Sequence, residues 1–352
     1  MQRWIPVLAV IFCVQLLVAG AMALRRDALA TRLPNSPLVT LPLNSADRIL
    51  IETRAAAGQP ANAARVELRK TNGAWVVHSD FDMPADGAKL AQLLTELTSL
   101  RRGLPIGDTQ SALARFKVGE DDFARRVTLS EHGKTLATLY FGESAGLRKT
   151  DARAGRDRAV YTVDLPIYAL PTAAGSWFNG DLLQMPEGKM SEIDISNAHR
   201  DHLTLTRPIV AGKVAGPWQA PGKAADKTVD EAQVAVLTGA IGAVHVDQVL
   251  GTAPQADWQL NQPLLALTIK DTDGKAVTWS LSKPKSGDFD VLKSSARPWY
   301  FSLTAAQAKP FLDAGASGAL LAHVKATAKG RQPANSPHAK AAMPPKVAGS
   351  RR

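Results

Sequence analysis

The stretch that decides the fold reads Asp47-Arg48-Ile49-Leu50-Ile51, then Asn72-Gly73-Ala74-Trp75-Val76-Val77. A second stretch repeats it as Glu192-Ile193-Asp194-Ile195, then Gly216-Pro217-Trp218-Gln219. Ile49 matches Ile193 at an offset of 144 residues, and Trp75 matches Trp218 at 143. Three later matches have offsets of 142, 141 and 139: Phe116 with Trp258, His132-Gly133-Lys134 with Asp273-Gly274-Lys275, and Tyr161 with Tyr300. Ordered matches whose offset shrinks slowly indicate a duplicated unit of about 140 residues.

Each copy has the pattern of short strands around one main helix. The Asn72-Gly73 turn between two alternating runs is typical of a hairpin. Leucines at helical spacing follow it: Leu90, Leu93, Leu94, Leu97 and Leu100. In the second copy Thr228-Val229-Asp230-Glu231 has the form of a capping box, ahead of Val234, Leu237 and Ile241. We therefore predict an α+β fold, a tandem duplication of a mainly antiparallel-sheet module with one main helix per copy, preceded by one transmembrane helix.

The amino-terminal residues have the pattern of a membrane helix. Residues 4–24 contain only one strongly polar side chain, Gln15, and arginines flank them at 3, 25 and 26. A helix needs about 20 apolar residues to cross a bilayer. A cleaved signal peptide is the alternative, because Ala21-Met22-Ala23 fits a small-x-small cleavage site.

The chain divides into five predicted segments. These are a transmembrane anchor over 1–26, a stalk over 27–45, a first α+β repeat over 46–185, a second over 186–324 and a disordered basic tail over 325–352. Short amino-terminal tails usually stay in the cytoplasm, so we expect a single-pass protein of the inner (cytoplasmic) membrane with its bulk in the periplasm or otherwise extracytoplasmic. Cys13 is the only cysteine and lies in the anchor, so no disulfide is expected outside it.

The net charge of +10 is confined to the ends of the chain. Residues 325–352 contain seven basic and no acidic side chains, and residues 1–27 contain three arginines and one aspartate. The remaining 32 basic and 31 acidic residues nearly cancel. The sequence therefore gives no support to a basic groove for nucleic acid.

No motif in the sequence identifies a reaction. His199-Arg200-Asp201 and Asp288-Phe289-Asp290 resemble kinase triplets, but no glycine-rich loop precedes them. Gly315-Ala316-Ser317-Gly318 is not the nucleophile elbow of a hydrolase. We predict no catalytic residue and no cofactor-binding residue, and we expect that the protein is not an enzyme.

Two groups of residues could be imagined as metal ligands. One group is His199 and His202, alone or with His245 and Asp247. The first two would have their rings on one side only in a helix, but their segment indicates a turn followed by a strand, which puts residues i and i+3 on opposite faces. Asp271-Thr272-Asp273-Gly274 resembles a calcium loop, but Lys275 occupies the third ligand position. We interpret the aspartate segment as a hairpin turn and predict no metal ligand.

Aromatic and basic residues leave two alternatives open. We interpret the tryptophans at matching positions as core residues, with a carbohydrate-stacking platform as the alternative: Trp75, Trp218, Trp258 and Trp299. A glycine-containing segment carries five basic residues: Arg148, Lys149, Arg153, Arg156 and Arg158. We interpret it as a solvated loop, with a contact to anionic lipid or a partner as the alternative.

Several of these features together resemble a known family. They are the membrane helix, the Asn72-Gly73-Ala74-Trp75 hairpin, Ala85-Asp86 ahead of the leucine helix, Leu139-Tyr140-Phe141-Gly142-Glu143-Ser144 ahead of the basic loop, and Val160-Tyr161-Thr162-Val163 with Trp177 beyond it. The chain resembles the family of domains of unknown function numbered 4340 over roughly residues 45–185, and more loosely over the second copy. Members of that family are similar to auxiliary components encoded beside ABC-type transporters, some linked to gliding motility. The resemblance supplies no catalytic residue.

The expected function is that of a membrane-anchored, extracytoplasmic accessory or interaction protein, associated with an ABC-type transport system and non-catalytic. Its expected partners are the membrane and ABC-transporter or envelope proteins, with no nucleic acid and no cofactor. One alternative is a periplasmic module that binds glycan or lipid in the cleft between the copies. Another is an unrecognised hydrolase, which would need Asp, Glu, His or Ser side chains to converge in a pocket.

Overall fold

The computed structural model describes Gln15, residues 35–40, Pro42 and residues 45–54, 64–155 and 157–323. Apart from Gln15, the predicted anchor lies outside the described residues, as do Arg156 and the predicted tail over 325–352. Among the helices that are described, none has the length and apolar character needed to cross a bilayer.

Eight strands form the first sheet. They are β1 (Arg48–Glu52), β2 (Arg65–Thr71), β3 (Ala74–Val77), β4 (Met83–Pro84), β5 (Arg125–Glu131), β6 (Lys134–Gly146), β7 (Lys149–Ala154) and β8 (Tyr161–Val163). Their spatial order is β4-β3-β2-β1-β5-β6-β7-β8, and every neighbouring pair is antiparallel. Helices α1 (Gly87–Ser99) and α2 (Gln110–Arg115) connect β4 to β5 along the chain.

Seven strands form the second sheet. They are β9 (Met190–Asn197), β10 (His202–Thr206), β14 (Val249–Gly251), β15 (Leu265–Asp271), β16 (Ala276–Ser282), β17 (Asp290–Ser294) and β18 (Tyr300–Leu303), in the order β10-β9-β15-β16-β17-β18-β14. Two small ribbons pair β11 (Ile209–Val210) with β12 (Lys213–Val214), and β13 (Lys227–Val229) with β19 (Leu321–His323). Helices α3 (Glu231–Ala243) and α4 (Ala305–Ala314) complete this unit. The fold is α+β with mainly antiparallel sheets, as predicted.

The two sheets share a common register. Val127 of β5 faces Leu139 of β6, and Leu267 of β15 faces Trp279 of β16, at a constant offset of 140. The same offset relates the pair Ala152–Tyr161 to the pair Leu292–Phe301. Tyr161 therefore corresponds to Phe301, and the match of Tyr161 with Tyr300 was wrong by one residue. The two tyrosines match in residue type but not in position, because Tyr300 faces away from the main core, as Val160 does.

Both main helices begin at an aspartate. The Asp86 carboxylate accepts hydrogen bonds from the N–H groups of Ala88 and Lys89, and Asp230 caps α3 in the same way. The predicted capping box at Thr228 is wrong, because Thr228 lies in β13 and the Glu231 side chain accepts from Trp218 N instead. Aspartate one residue before the helix satisfies the free N–H groups more directly.

Residues 35–40, which belong to the predicted stalk, pack against the first unit. Leu38 is 1% exposed, and its N–H donates to Leu100 O at 2.8 Å, at the end of α1. The end of α3 in the second unit is also bound by a residue that precedes the unit. Gln184 Nε2 donates a hydrogen bond to Val244 O at 3.1 Å. The apolar core formed by these helices and sheets is continuous through both units.

Candidate binding sites

The kinase-like triplets have local structural roles. His199-Arg200-Asp201 lies in the turn between β9 and β10, where the Asn197 side chain accepts hydrogen bonds from the N–H groups of His199 and Asp201. Asp290, which ends the second triplet, is buried in β17. Burial raises the pKa of its carboxyl group.

The histidines considered as metal ligands do not converge. His202 lies in the edge strand β10 and pairs with Asp194 at 2.9 Å, whereas His245 precedes the opposite edge strand β14 and pairs with Asp181 at 3.0 Å. Within the described part of the chain, no three His, Cys, Asp or Glu side chains are grouped as a metal site. Asp271 closes a hairpin turn, because its Oδ1 accepts from Asp273 N and Lys275 N.

One cavity brings together several polar residues noted in the sequence. Its volume is about 210 Å³, and Asp201, His202 and Ser317 contribute to its lining. Among the residues described, no hydrogen bond joins Ser317 to His202, whose ring pairs with Asp194 instead. A serine nucleophile needs a base within hydrogen-bond reach. Ser317 and His202 therefore do not form a nucleophile–base pair in this arrangement.

The matching tryptophans belong to cores and contacts within the molecule. Trp218 and Trp258 are buried, and Trp75 and Trp299 are partly buried against the main core. Trp258 packs on Tyr300 with 5.1 Å between ring centroids. Exposed ring faces would be needed for a carbohydrate platform, and these four rings do not form one.

The prediction of a solvated basic loop over residues 148–158 is wrong for its middle part, because Lys149–Ala154 forms strand β7. Arg148 lies at the β6–β7 turn, whereas Arg158 lies beyond the far end of β7. Arg153 is only 2% exposed. The strand alternates small and charged side chains, and only Thr150 among them has high β propensity, so the sequence signal for a strand was poor.

Arg153 belongs to a small second core on the face of the first sheet opposite α1. Tyr140 alternates with the inward-facing residues of β6, and it lies on this outer face with Val118 and Phe123. The Arg153 guanidinium carbon lies 4.3 Å from the centroid of the Tyr140 ring. Its Nε donates to Val118 O at 2.6 Å, and Nη1 donates to the carbonyls of Gly155 and Asp157.

The remaining guanidinium nitrogen of Arg153 is unsatisfied. Nη2 is buried and has no hydrogen-bond partner, and no carboxylate pairs with this arginine within the described residues. A cavity of about 360 Å³, here called the outer cavity, adjoins it. The lining consists of Gln110, Leu113, Ala114, Gly119, Glu120, Asp121, Asp122, Arg153 and Arg158.

A third cavity, here called the α1 groove, lies between α1 and the 3₁₀ turn Ile167–Ala169. Its volume is about 290 Å³, and its lining consists of Lys89, Gln92, Leu93, Glu96, Arg148, Pro166, Tyr168, Ala169 and Trp177. Tyr168 is 73% exposed, and Leu147 next to Arg148 is 92% exposed. Contiguous exposed apolar surface with a polar rim is typical of an interaction surface, whereas single exposed apolar side chains are common.

The second unit shows what fills the corresponding place there. After β18 the chain forms the ten-residue helix α4, which packs beside α3 and buries Ala308 and Phe311. After β8 the first unit has only the three-residue 3₁₀ turn before Leu170. Both segments end beside equivalent positions of the two sheets, Arg125 of β5 and Leu265 of β15, which are 140 residues apart. Arg125 Nε donates to Leu170 O, and Gly315 lies against Leu265. The α1 groove thus lies where the first unit has no long helix.

Close backbone contacts join the two units at Gly175 and Gly180. Val246 N donates to Gly180 O at 2.9 Å. A Cβ atom on Gly175 would lie only 1.9 Å from Asp247 O. Backbone this close leaves no cleft at these contacts. A cavity of about 120 Å³ lies elsewhere at the junction, where Leu182 and Met185 face Trp279 and Arg297.

Comparison with known proteins gives one match. A family model described as a domain of unknown function, DUF4340, matches residues 75–263. The chain belongs to the DUF4340 family. The matched range begins within β3 and ends just before β15, so it contains α1, β4 to β8, the junction and α3 but not β1, β2 or the strands from β15 onwards. Searches of curated proteins and of solved structures gave no match.

Proposed function

We propose that this DUF4340 protein is a membrane-anchored, extracytoplasmic accessory protein of an ABC-type transport system, that it is non-catalytic, and that it acts by binding a protein partner. The anchor is the predicted helix over residues 1–26. The observation that carries the proposal is the exposed, partly apolar and basic α1 groove. Its partner is a helix of a transporter or envelope protein.

Two features of the groove support a helical partner. The second unit places its own helix α4 beside α3, whereas the first unit leaves this flank of α1 open. The common register of the two sheets supports their origin by duplication, so α4 serves as an internal template for the occupant. Grooves that take an amphipathic helix combine apolar anchors with a polar rim.

The charge of the rim favours a partner helix that carries carboxylates. Lys89 and Arg148 line the groove, and Lys89 Nζ also lies 5.1 Å from the centroid of the Trp177 ring. The acidic Glu96 accepts a hydrogen bond from Gln92 at 2.9 Å. Opposite charge at the rim of an interface steers association and fixes register.

Affinity purification from solubilised membranes tests this proposal. We compare the unaltered chain with Tyr168→Asp and Val236→Asp, and identify the retained proteins by mass spectrometry. Val236 is a matched control, because it occupies on α3 the position of Gln92 on α1 and is 55% exposed. We expect a transporter permease or its ATP-binding subunit to be retained by the unaltered chain and by Val236→Asp, and lost from Tyr168→Asp. Equal retention by both variants, or no transporter subunit with any of them, would contradict the proposal.

A further inference from the structure

We infer that the outer cavity binds a small zwitterion, a molecule with one carboxylate and one ammonium group such as an amino acid or a dipeptide. This site is separate from the α1 groove and goes beyond the proposed function. Its evidence is the buried, incompletely satisfied Arg153 beside a lining that carries both signs of charge.

The carboxylate end of the ligand is matched by two arginines. Arg153 is held by three backbone carbonyls and by the Tyr140 ring, yet Nη2 remains without a partner in the described structure. A buried guanidinium without a carboxylate partner is costly, so its positive charge would stabilise a ligand carboxylate in the adjoining outer cavity. Arg158 lines the same cavity, is exposed and makes no ion pair with any described residue. Guanidinium groups bind carboxylates with paired, charge-assisted hydrogen bonds.

The ammonium end is matched by the loop over residues 119–122. Glu120 and Asp121 are exposed and have no ion-pair partner among the described residues, whereas Asp122 pairs with Arg54 at 3.4 Å. These carboxylates would repel a ligand that carries only negative charge. Lining groups of both signs therefore favour a dipolar ligand over a simple anion.

The second unit shows that the fold does not require this arrangement. Lys293 faces Ser280 across β17 and β16, as Arg153 faces Tyr140 across β7 and β6. Lys293 Nζ lies 4.8 Å from the centroid of the Tyr300 ring and donates to the carbonyls of Arg297 and Trp299. Trp258 packs on Tyr300 in that unit. The cation at this strand position is thus satisfied in the second unit and left with a free donor in the first.

The size of the cavity suits a small ligand. A volume of about 360 Å³ lies at the low end of ordinary ligand pockets.

Isothermal titration calorimetry on the full chain in detergent micelles tests the inference with glycine, L-alanyl-L-alanine, propionate and ethylammonium. We expect at least one of the two zwitterions to bind about tenfold more tightly than propionate or ethylammonium, which each satisfy only one end.

Three variants locate the site. Arg158→Gln and Glu120→Gln alter exposed side chains, so both should fold, and each should weaken zwitterion binding by about tenfold. Arg200→Gln, an exposed arginine in the β9–β10 turn, is the control and should leave the affinity unchanged. The inference is overturned if no zwitterion binds saturably up to about 10 mM, if propionate binds as tightly, or if Arg200→Gln has the same effect as Arg158→Gln.

Discussion

At the scale of single residues, Glu67 links the stability of the first sheet to pH. Arg48 Nε and Arg69 Nε lie 2.8 and 2.5 Å from Glu67 Oε1, and the hydrogen bond from Arg48 is the main cause that lowers the pKa of Glu67 from 4.5 to about 2. A depressed carboxyl pKa contributes stability above the ordinary value, and this contribution is lost as the pH falls towards the folded-state value. Water screens the two partly exposed arginines, so we expect a contribution of only about 1 kcal/mol.

The comparison of Glu67→Gln with the unaltered chain measures this effect. Urea unfolding at neutral pH should show the variant about 1 kcal/mol less stable, and the gap should close between about pH 4.5 and pH 2. A gap that stays constant across this range would show that the carboxylate charge is not responsible.

The tryptophans at matching positions should differ in their contribution to stability. Trp218 is buried, whereas Trp75 is only partly buried. Trp218→Ala should therefore cost about 3 to 5 kcal/mol of unfolding free energy, and Trp75→Ala at least about 1 kcal/mol less. Chemical unfolding followed by far-ultraviolet circular dichroism measures both values. Equal losses would mean that the two rings are equivalent in the folded protein.

At the scale of elements, the start of α3 could be capped by Asp230, as in the structure, or by a capping box that begins at Thr228, as the sequence suggested. Asp230 accepts from Ala232 N and Gln233 N, whereas the Thr228 side chain is exposed in β13. We expect Asp230→Ala to lower the free energy of unfolding by about 1 kcal/mol and Thr228→Ala to change it by less than about 0.5 kcal/mol. Guanidinium unfolding measures the difference. A larger loss from Thr228→Ala would support the capping box that the sequence suggested.

Elements with strong local patterns could be predicted from the sequence, and elements that depend on tertiary packing could not. The leucine face of α1 and the Asn72-Gly73 hairpin have clear spacing and turn chemistry, and both form as expected. Strand β7 lacks such a pattern, so its small and charged residues suggested a loop. The burial of Arg153 was therefore missed, since it depends on carbonyls from the loops at Val118 and Gly155. The α1 groove was missed because it becomes apparent only when the two units are compared in space.

At the scale of the whole molecule, the junction between the units depends on close backbone approach. A Cβ atom at Gly175 would lie 1.9 Å from the backbone oxygen of Asp247, whereas Gly188 has open space around it. Gly175→Ala should therefore destabilise the protein by about 1 to 3 kcal/mol, because backbone must move. Gly188→Ala is the matched control and should be close to neutral. Thermal unfolding of both variants checks this, and equal midpoints would contradict a tight junction.

We propose that the two-unit scaffold presents the α1 groove to a helix of a transport or envelope protein. Photo-crosslinking in intact membranes tests it most directly, with a photoreactive residue in place of Tyr168 and, as control, in place of Val236. We expect position 168 to crosslink to a defined helix of an identified transporter subunit or envelope protein, and position 236 not to crosslink to it. Crosslinks of equal yield from both positions, or none from position 168, would contradict it.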